Sequence, residues 1–463
     1  MKLKIRAILS TGLAFVCLSG LSPAAQAQSA PAVASEFVLK NGMKVIVKED
    51  HRAPTAVQMV WYKVGSIDES NGTTGIAHAL EHMMFKGTKT HKVGEFSRLV
   101  AELGGRENAF TNRDYTAYFQ QVEHTRLEAV MALEADRMRN LQFDKNEFAK
   151  EIRVVMEERR WRTDDQPQGL MNEALHAAAF VAHPYHHPVV GWMDDLQHMT
   201  IADIEAWYRR WYAPNNATLV VSGDVRADQV AALAETYFGG IPAKTIVRGK
   251  PQNEPEQHGM RRVIVKAPAE NPYVILAFKV PTLRDVEKDQ EVYALDVLSA
   301  VLDGYDNARL NDKLVRTDKV ANSVGAGYDD ITRGPTLFTL EGSPAAGTTT
   351  AQLETLLRAE VERIAKEGVS EQELQRVKTQ LIASQIYKRD SIFGQAMEIG
   401  TMEMSGLSHK NIDRIVDQLK AVTPQQVQAV AQTYFSDDKL TVATLVPLPL
   451  SGKKLGPPPG PLR

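Results

Sequence analysis

An α+β protein built from two homologous halves, each a mixed, largely antiparallel β-sheet covered by helices, is the architecture this sequence predicts. Two observations carry that expectation: a set of motifs recurs at a fixed offset, and each half mixes strand-like and helix-like runs. Thr200 to Ile204 leads a helical pattern into Trp211 and Tyr212, then a break at Pro214, Asn215 and Asn216, then the strand-like run Thr218 to Ser222. Thr423 to Val427, Tyr434 and Phe435, the break Ser436 to Asp438, and Thr441 to Leu445 repeat that order at an unbroken offset of 223 residues. Asp144 with Glu147, and Ser370 with Glu373, are matching capping-box starts, each followed by an apolar stripe: Phe148, Ile152, Val155 in one, Leu374, Val377, Leu381 in the other.

Taken in order, residues 1–27 read as a secretory signal peptide: Lys2, Lys4 and Arg6 precede an acid-free apolar run, Ala7 to Leu21, and Ala25-Gln26-Ala27 offers a cleavage site. The first domain is expected over 28–247. There Asn41-Gly42 between Phe37 and Val47 is a hairpin signal, and Phe96, Leu99, Val100 and Leu103 form a helical stripe ending at Gly104-Gly105. A polar, Pro-containing linker is expected over 248–262 and the second domain over 263–446, with a stripe Leu353, Leu356, Leu357, Ile364 ending at Gly368. Residues 447–463 are rich in Pro and Gly and read as an extended tail.

Composition narrows the function classes. The 463 residues carry 43% apolar and 24% charged residues, a folded globular balance, and 54 basic against 57 acidic residues leave no footprint for nucleic acid or an anionic membrane surface. Cys17 is the one cysteine and lies in the leader, so disulfides and Cys-built metal sites are excluded. Once the leader is removed, the formal charge becomes −6. No later segment reaches 18 uninterrupted apolar residues, so the mature chain is expected to have no membrane span and to work outside the cytoplasm.

The chemistry concentrates in Gly75 to Phe85, where His78-Ala79-Leu80-Glu81-His82 spells H-x-x-E-H in a stretch free of Pro. On a helix, His78 and His82 lie about 40° apart, with Glu81 about 60° from His78 on the same side, so two imidazoles can converge on one ion beside a carboxylate. A third ligand is needed. Glu151 and Glu158, seven residues apart, project within about 20° of each other at the border of the stripe Phe148, Ile152, Val155. Spacing alone leaves two readings open: carboxylates compensated by a metal ion, or acids of a charged helix paired with Arg153, Arg159 and Arg160. The cluster His183, His186, His187 contains Pro184 and Pro188, which exclude a helical face, and reads as a structural loop.

The motif His78 to His82, with Glu158 placed 76 residues beyond His82, resembles the inverted zinc motif of the pitrilysin/insulinase family of metallopeptidases. The likeness spans nearly the whole mature chain, which resembles the shorter bacterial members and the mitochondrial processing peptidase subunits. It implies one Zn²⁺ per chain held by His78, His82 and Glu158, with Glu81 as the catalytic carboxylate and Glu151 as a supporting acid. Glu157 competes with Glu158 as ligand, and the seven-residue step from Glu151 favours Glu158. The resemblance also implies that Asn108-Ala109-Phe110-Thr111 is an edge strand to which an extended peptide substrate adds, with Asn108 placed to hold the scissile carbonyl.

Two departures shape the expected assembly. Ser384 stands where the second half would need the counterpart of Glu158, so that half cannot rebuild the metal site. Family members that act alone or as homodimers carry an Arg and a Tyr that hold the substrate carbonyl; aligned on Arg309-Leu310, those positions are Val315 and Asn322, with Arg316 and Tyr328 out of register. The expectation is therefore a periplasmic zinc endopeptidase subunit, half of a clamshell chamber, whose homologous partner supplies the missing pair in a heterodimer. The alternatives are a homodimer with atypical donors and a non-catalytic assembly subunit.

Overall fold

The computed structural model describes residues 33–450, and those from Ala34 onward belong to one compact unit. The expected signal peptide and residues 451–463 of the expected tail lie outside the described residues. In the first half, β1 (Ser35–Val38) and β2 (Lys44–Glu49) form the expected hairpin; Gly42 takes φ +84°, the left-handed conformation that a glycine adopts without cost. There follow β3 (Thr55–Tyr62), α1 (Ile76–Met83), α2 (Glu95–Glu102), β4 (Arg106–Thr111), β5 (Thr116–Glu123), α3 (Leu127–Asn140), α4 (Lys145–Arg159), α5 (Pro167–Ala179), α6 (Met193–His198), α7 (Ile201–Trp211), β6 (Ala217–Gly223) and α8 (Ala227–Phe238). The second half contains β7 (Arg261–Pro268), β8 (Tyr273–Val280), α9 (Gln290–Asp303), β9 (Ala321–Tyr328), β10 (Thr336–Pro344), α10 (Thr350–Glu367), α11 (Glu371–Lys388), α12 (Ile392–Ser405), α13 (Ile412–Ala421), α14 (Pro424–Tyr434) and β11 (Leu440–Leu448).

The two sheets are copies of one plan. The first has strand order β1-β2-β6-β3-β5-β4 and the second β7-β11-β8-β10-β9, so among the described residues only β1 lacks a counterpart. β2 with β6 and β7 with β11 pair in parallel, and every other pairing is antiparallel. β7 starts at Arg261, two residues inside the expected linker, and β11 runs to Leu448, two residues into the expected tail, because Pro447 and Leu448 are still in register with Ala267 and Pro268.

Strand alternation explains why the central strands read as continuous apolar runs: both of their faces are buried, whereas the edge strand β7 leaves Ile264 exposed. In β3, Ala56, Val60 and Tyr62 join the core formed with the first half's own helices, while Val57, Met59 and Trp61 face Ala396, Ile399 and Met404 of α12. The second sheet is covered reciprocally, with Ile275, Ala277, Ala443 and Leu445 packing on Met171, Leu175 and Ala179 of α5. Each half thus lends one helix to the other half's sheet. Polar contacts follow the same seam: Lys44 pairs with Glu403 at 2.7 Å, Gln395 donates to Asp50 at 2.7 Å, and Arg333 donates to Asp68 and to the Asp114 carbonyl, each at 2.8 Å.

The helix starts at Asp144 and Ser370 are capped, but not as reciprocal boxes. Asp144 accepts from the Asn146 and Glu147 amides and Ser370 from the Glu373 amide. Glu147 and Glu373 turn instead to cations, Lys150 at 2.6 Å and Arg309 at 2.6 Å, which outcompete a neutral backbone donor.

Candidate metal centre

The N-terminus of α1 is fixed by its backbone surroundings. Gly75 takes φ +84°, and a Cβ there would meet the Val190 carbonyl at 2.4 Å; Gly191, also left-handed, would meet the Thr74 carbonyl at 2.3 Å. Only glycine at both positions allows these two segments to lie against each other. The Gly75 and Ala77 amides donate to the buried Glu69 carboxylate at 2.8 and 2.9 Å, satisfying donors that a helix start leaves unpaired. Arg159, at the end of α4, donates to the Gly191 carbonyl at 2.9 Å and to Glu173 at 2.7 Å. Both segments that carry the H-x-x-E-H motif and its helix acids are therefore tied to one loop.

On that frame the side chains converge. His78 Nε2 lies 3.7 Å and His82 Nε2 3.3 Å from Glu158 Oε2, and the ligating atoms of the three residues lie within 4.8 Å of one another. Glu81 is buried beside them, 6% exposed, and hydrogen-bonds Thr111; its Oε2, His78 Nδ1 and Glu158 Oε1 have no hydrogen-bond partner among the described residues. Glu151 Oε2 lies 3.4 Å from His82 Nδ1, and its other oxygen takes Lys86 Nζ at 2.8 Å. The other oxygen of Glu158 lies 2.8 Å from Arg162 Nη1.

The electrostatics favour positive charge at the focus. Burial, together with the neighbouring His82, pushes the His78 imidazole down to about 3, which keeps it in the neutral form that ligates metals. Burial opposes charge on His82 as well, but hydrogen bonds to Glu151 and Glu158 outweigh it and raise that ring to about 9. Burial raises the Glu81 carboxyl despite the Thr111 hydrogen bond. A place where two carboxylates draw a proton onto a buried ring is also one that stabilises a cation, and two imidazoles with one carboxylate are a donor set suited to zinc. The residues present fit that ion.

The charged-helix reading of α4 accounts for other residues. Arg160 pairs with the exposed Glu157, Arg153 donates to the Ala149 carbonyl at 2.8 Å, and Arg159 goes to Glu173, while Glu151 and Glu158 face the histidines. Glu157 is thus outside the cluster.

β4 is the edge of the first sheet, paired with β5. Thr111 reaches Glu81 and Ala109 sits in the core, whereas Phe110 packs edge-on against Trp61 at 5.6 Å and Asn108 accepts the Ala109 amide at 2.8 Å. Alternation places Asn108 and Phe110 on the face opposite Thr111. In the second half Val315 packs on the core, Asn322 donates to the Pro344 carbonyl at 3.0 Å, and the nearby Arg316 and Tyr328 bond locally to Asn307 and to the Pro281 carbonyl. The His183 loop turns inward on itself: His183 Nδ1 accepts the Tyr185 amide at 3.2 Å and His186 Nδ1 donates to the His183 carbonyl at 2.9 Å.

Sequence reading missed Lys86, Arg162 and Glu69. The first two stand four residues beyond His82 and Glu158, a spacing that marks helical neighbours and could have flagged both. Glu69 bonds backbone amides, a contact without a side-chain signature.

Comparison with known proteins agrees with this geometry. The insulinase (Peptidase family M16) domain matches residues 44–191, and the Peptidase M16 inactive domain matches residues 198–381. The zinc protease PqqE of Helicobacter pylori is 32% identical over 444 residues, covering 94% of this chain and 98% of that protein. The crystal structure of a protease from Helicobacter pylori superposes with a TM-score of 0.85 at 30% identity, covering 90% of this chain and 99% of that one. The periplasmic protease PqqL of Escherichia coli shares the fold, with a TM-score of 0.77 at 20% identity, over 90% of this chain but 49% of its own length. A duplicated α+β plan with its H-x-x-E-H helix in the first copy, matched in both halves and along the full length of a zinc protease, makes this chain a member of the insulinase family, peptidase family M16.

Proposed function

We propose that this chain is the zinc-bearing subunit of a periplasmic endopeptidase that hydrolyses peptides or unfolded polypeptides and draws part of its active site from a homologous partner subunit. The observation that carries the reading is the convergence of His78, His82 and Glu158 with Glu81 buried alongside. His78, His82 and Glu158 would hold one zinc ion, which when bound supplies a Lewis acid that activates water and polarises a peptide carbonyl. Glu81 is the proton carrier. Its burial raises its affinity for a proton, so it can take one from water and return it to the leaving amine. Glu151, held by Lys86, orients His82 through Nδ1 and fixes which ring nitrogen faces Glu158. The free edge of β4, residues Asn108 to Thr111, would pair with the main chain of an extended substrate, which gives affinity with little sequence preference; Thr111 links that strand to Glu81.

The partner requirement rests on Val315 and Asn322. Neither side chain offers the pair of donors that the family aims at the substrate carbonyl, and both are engaged within the second half. Loss of such donors costs about 10²–10³ in turnover each. Secretion rests on the leader's composition, and among the described residues no helix is long and apolar enough to cross a membrane. The test is digestion of an unstructured peptide by the purified chain alone and with the homologous subunit that co-purifies with it. The chain alone should bind one zinc and cleave slowly, with turnover rising at least about a hundredfold in the complex. Equal turnover by the chain alone would remove the need for a partner, and would favour a homodimer with other donors. Zinc binding with no cleavage in either case would make it a non-catalytic assembly subunit.

A further inference from the structure

Immediately beyond α4 the helix widens. Arg160 to Asp164 form a π-helical turn, closed by the Asp165 amide on the Arg160 carbonyl at 2.7 Å. Such turns insert one residue into a helix and re-aim the side chains around them. This one is clamped from outside: a Cβ on Gly169 of α5 would fall 2.5 Å from the Arg162 carbonyl, so the two backbones lie in direct contact. The turn therefore has little freedom to move, and it holds Arg162 where Nη1 lies 2.8 Å from Glu158 Oε1. The two oxygens of Glu158 are thereby divided. Oε2 faces the His78 and His82 imidazoles and Oε1 faces the guanidinium.

We propose that Arg162 is a positioning residue for the metal-binding carboxylate, its charge drawing one oxygen of Glu158 so that the other is presented to the ion. This rests on the zinc reading given above. Two effects of Arg162 on a bound cation oppose each other. Its positive charge repels the ion, while its attraction for Oε1, an ion-pair contact that leaves Oε1 without a hydrogen bond among the described residues, biases the rotation of a carboxylate that is only 8% exposed. The Arg162 side chain is 36% exposed, so water and salt screen its repulsion of the ion, whereas its pull on the buried Oε1 acts at contact distance and is screened less, so the orienting effect dominates. An ordinary surface pair four residues apart on a helix would act only on the helix, leaving the metal untouched.

The experiment measures zinc affinity by competition with a chromophoric chelator on the full chain, together with thermal melting of the metal-free protein. Arg162→Met should weaken zinc binding at least about tenfold, in the range found when a group supporting a metal ligand is removed, with the metal-free melting temperature unchanged. Arg162→Lys, which keeps the positive charge, should recover most of that loss. If Arg162→Met fails to fold, Arg162→Gln tests the same expectation through the same measurement. Zinc affinity within about twofold of the unsubstituted chain, or tighter, would overturn the proposal, as would a loss confined to the melting temperature. An unsubstituted chain that binds no zinc would instead refute the zinc reading on which the proposal rests.

Discussion

Gly400 of α12 lies against the indole of Trp61 so closely that a Cβ built on it would stand 2.0 Å from Trp61 Cε2. Trp61 is fully buried and its ring is boxed by Phe110 and Tyr115, so it cannot retreat. Gly400→Ala should therefore force the borrowed helix off the first sheet and cost about 1–3 kcal/mol, the usual penalty of overpacking, read as a lower midpoint in urea. Gly240→Ala, at a site where a Cβ meets nothing within 4 Å, should leave the midpoint unchanged.

Glu81 and Glu158 should separate chemistry from metal retention. Glu81→Gln keeps the shape of the side chain but not its basicity, so zinc content measured by atomic emission should stay at one per chain while peptide cleavage falls by about 10²–10⁴. Glu158→Gln removes the anionic ligand, and zinc should be lost during dialysis.

Glu151 should show an intermediate effect. With Oε2 3.4 Å from His82 Nδ1 and Oε1 held by Lys86 at 2.8 Å, it restrains the ring from the far side. Glu151→Gln should weaken zinc binding by about 10–100-fold while the fold, followed by far-ultraviolet circular dichroism, is kept.

How much of this was legible in the residues themselves depends on the range of the interaction. The H-x-x-E-H helix, the Asn41-Gly42 hairpin and the 223-residue repeat are local periodicities or spacings, and the structure presents each as read. The step from Glu151 to Glu158 was equally visible, but its meaning was not; the same seven residues suit a metal site or an ion-paired helix until His82 is seen between them. The exchange of α5 and α12 was out of reach. An apolar stripe on a helix announces a buried face without naming the sheet that buries it, and Gly400 carries no mark of the indole that requires it. Glu69 escaped for a similar reason, since its partners are backbone amides.

Acid should loosen the polar contacts along the seam before it unfolds the protein. Glu403, Asp50 and Glu254 are each 7% exposed in their side chains and lie on the seam. Burial opposes ionisation of Glu403, but His409 and Lys44 outweigh it and hold the carboxyl at about 2. Glu254 is likewise at about 2, its burial overcome by the Val181, Ala182 and His183 amides and Lys279. Hydrogen bonds from Arg52, then Gln395 against the effect of burial, bring Asp50 to about 2. All three folded-state values lie below the ordinary carboxylate range near 4, so their contribution is complete above that range and is lost as pH falls from about 4 towards 2. Near-ultraviolet circular dichroism should show a transition in that window, and Lys44→Met should move its midpoint to higher pH.

The reciprocal loan of α5 and α12 bears on how a polypeptide could gain entry. Two halves that each wear the other's helix cannot swing apart without exposing both undersides at once, so the seam is a weld where many two-lobed proteins have a hinge. On the partner-dependent reading proposed above, a mouth over the His78 and His82 pair would open by movement of the whole chain as a single block against that partner. A fragment containing either lobe alone would lack its lining.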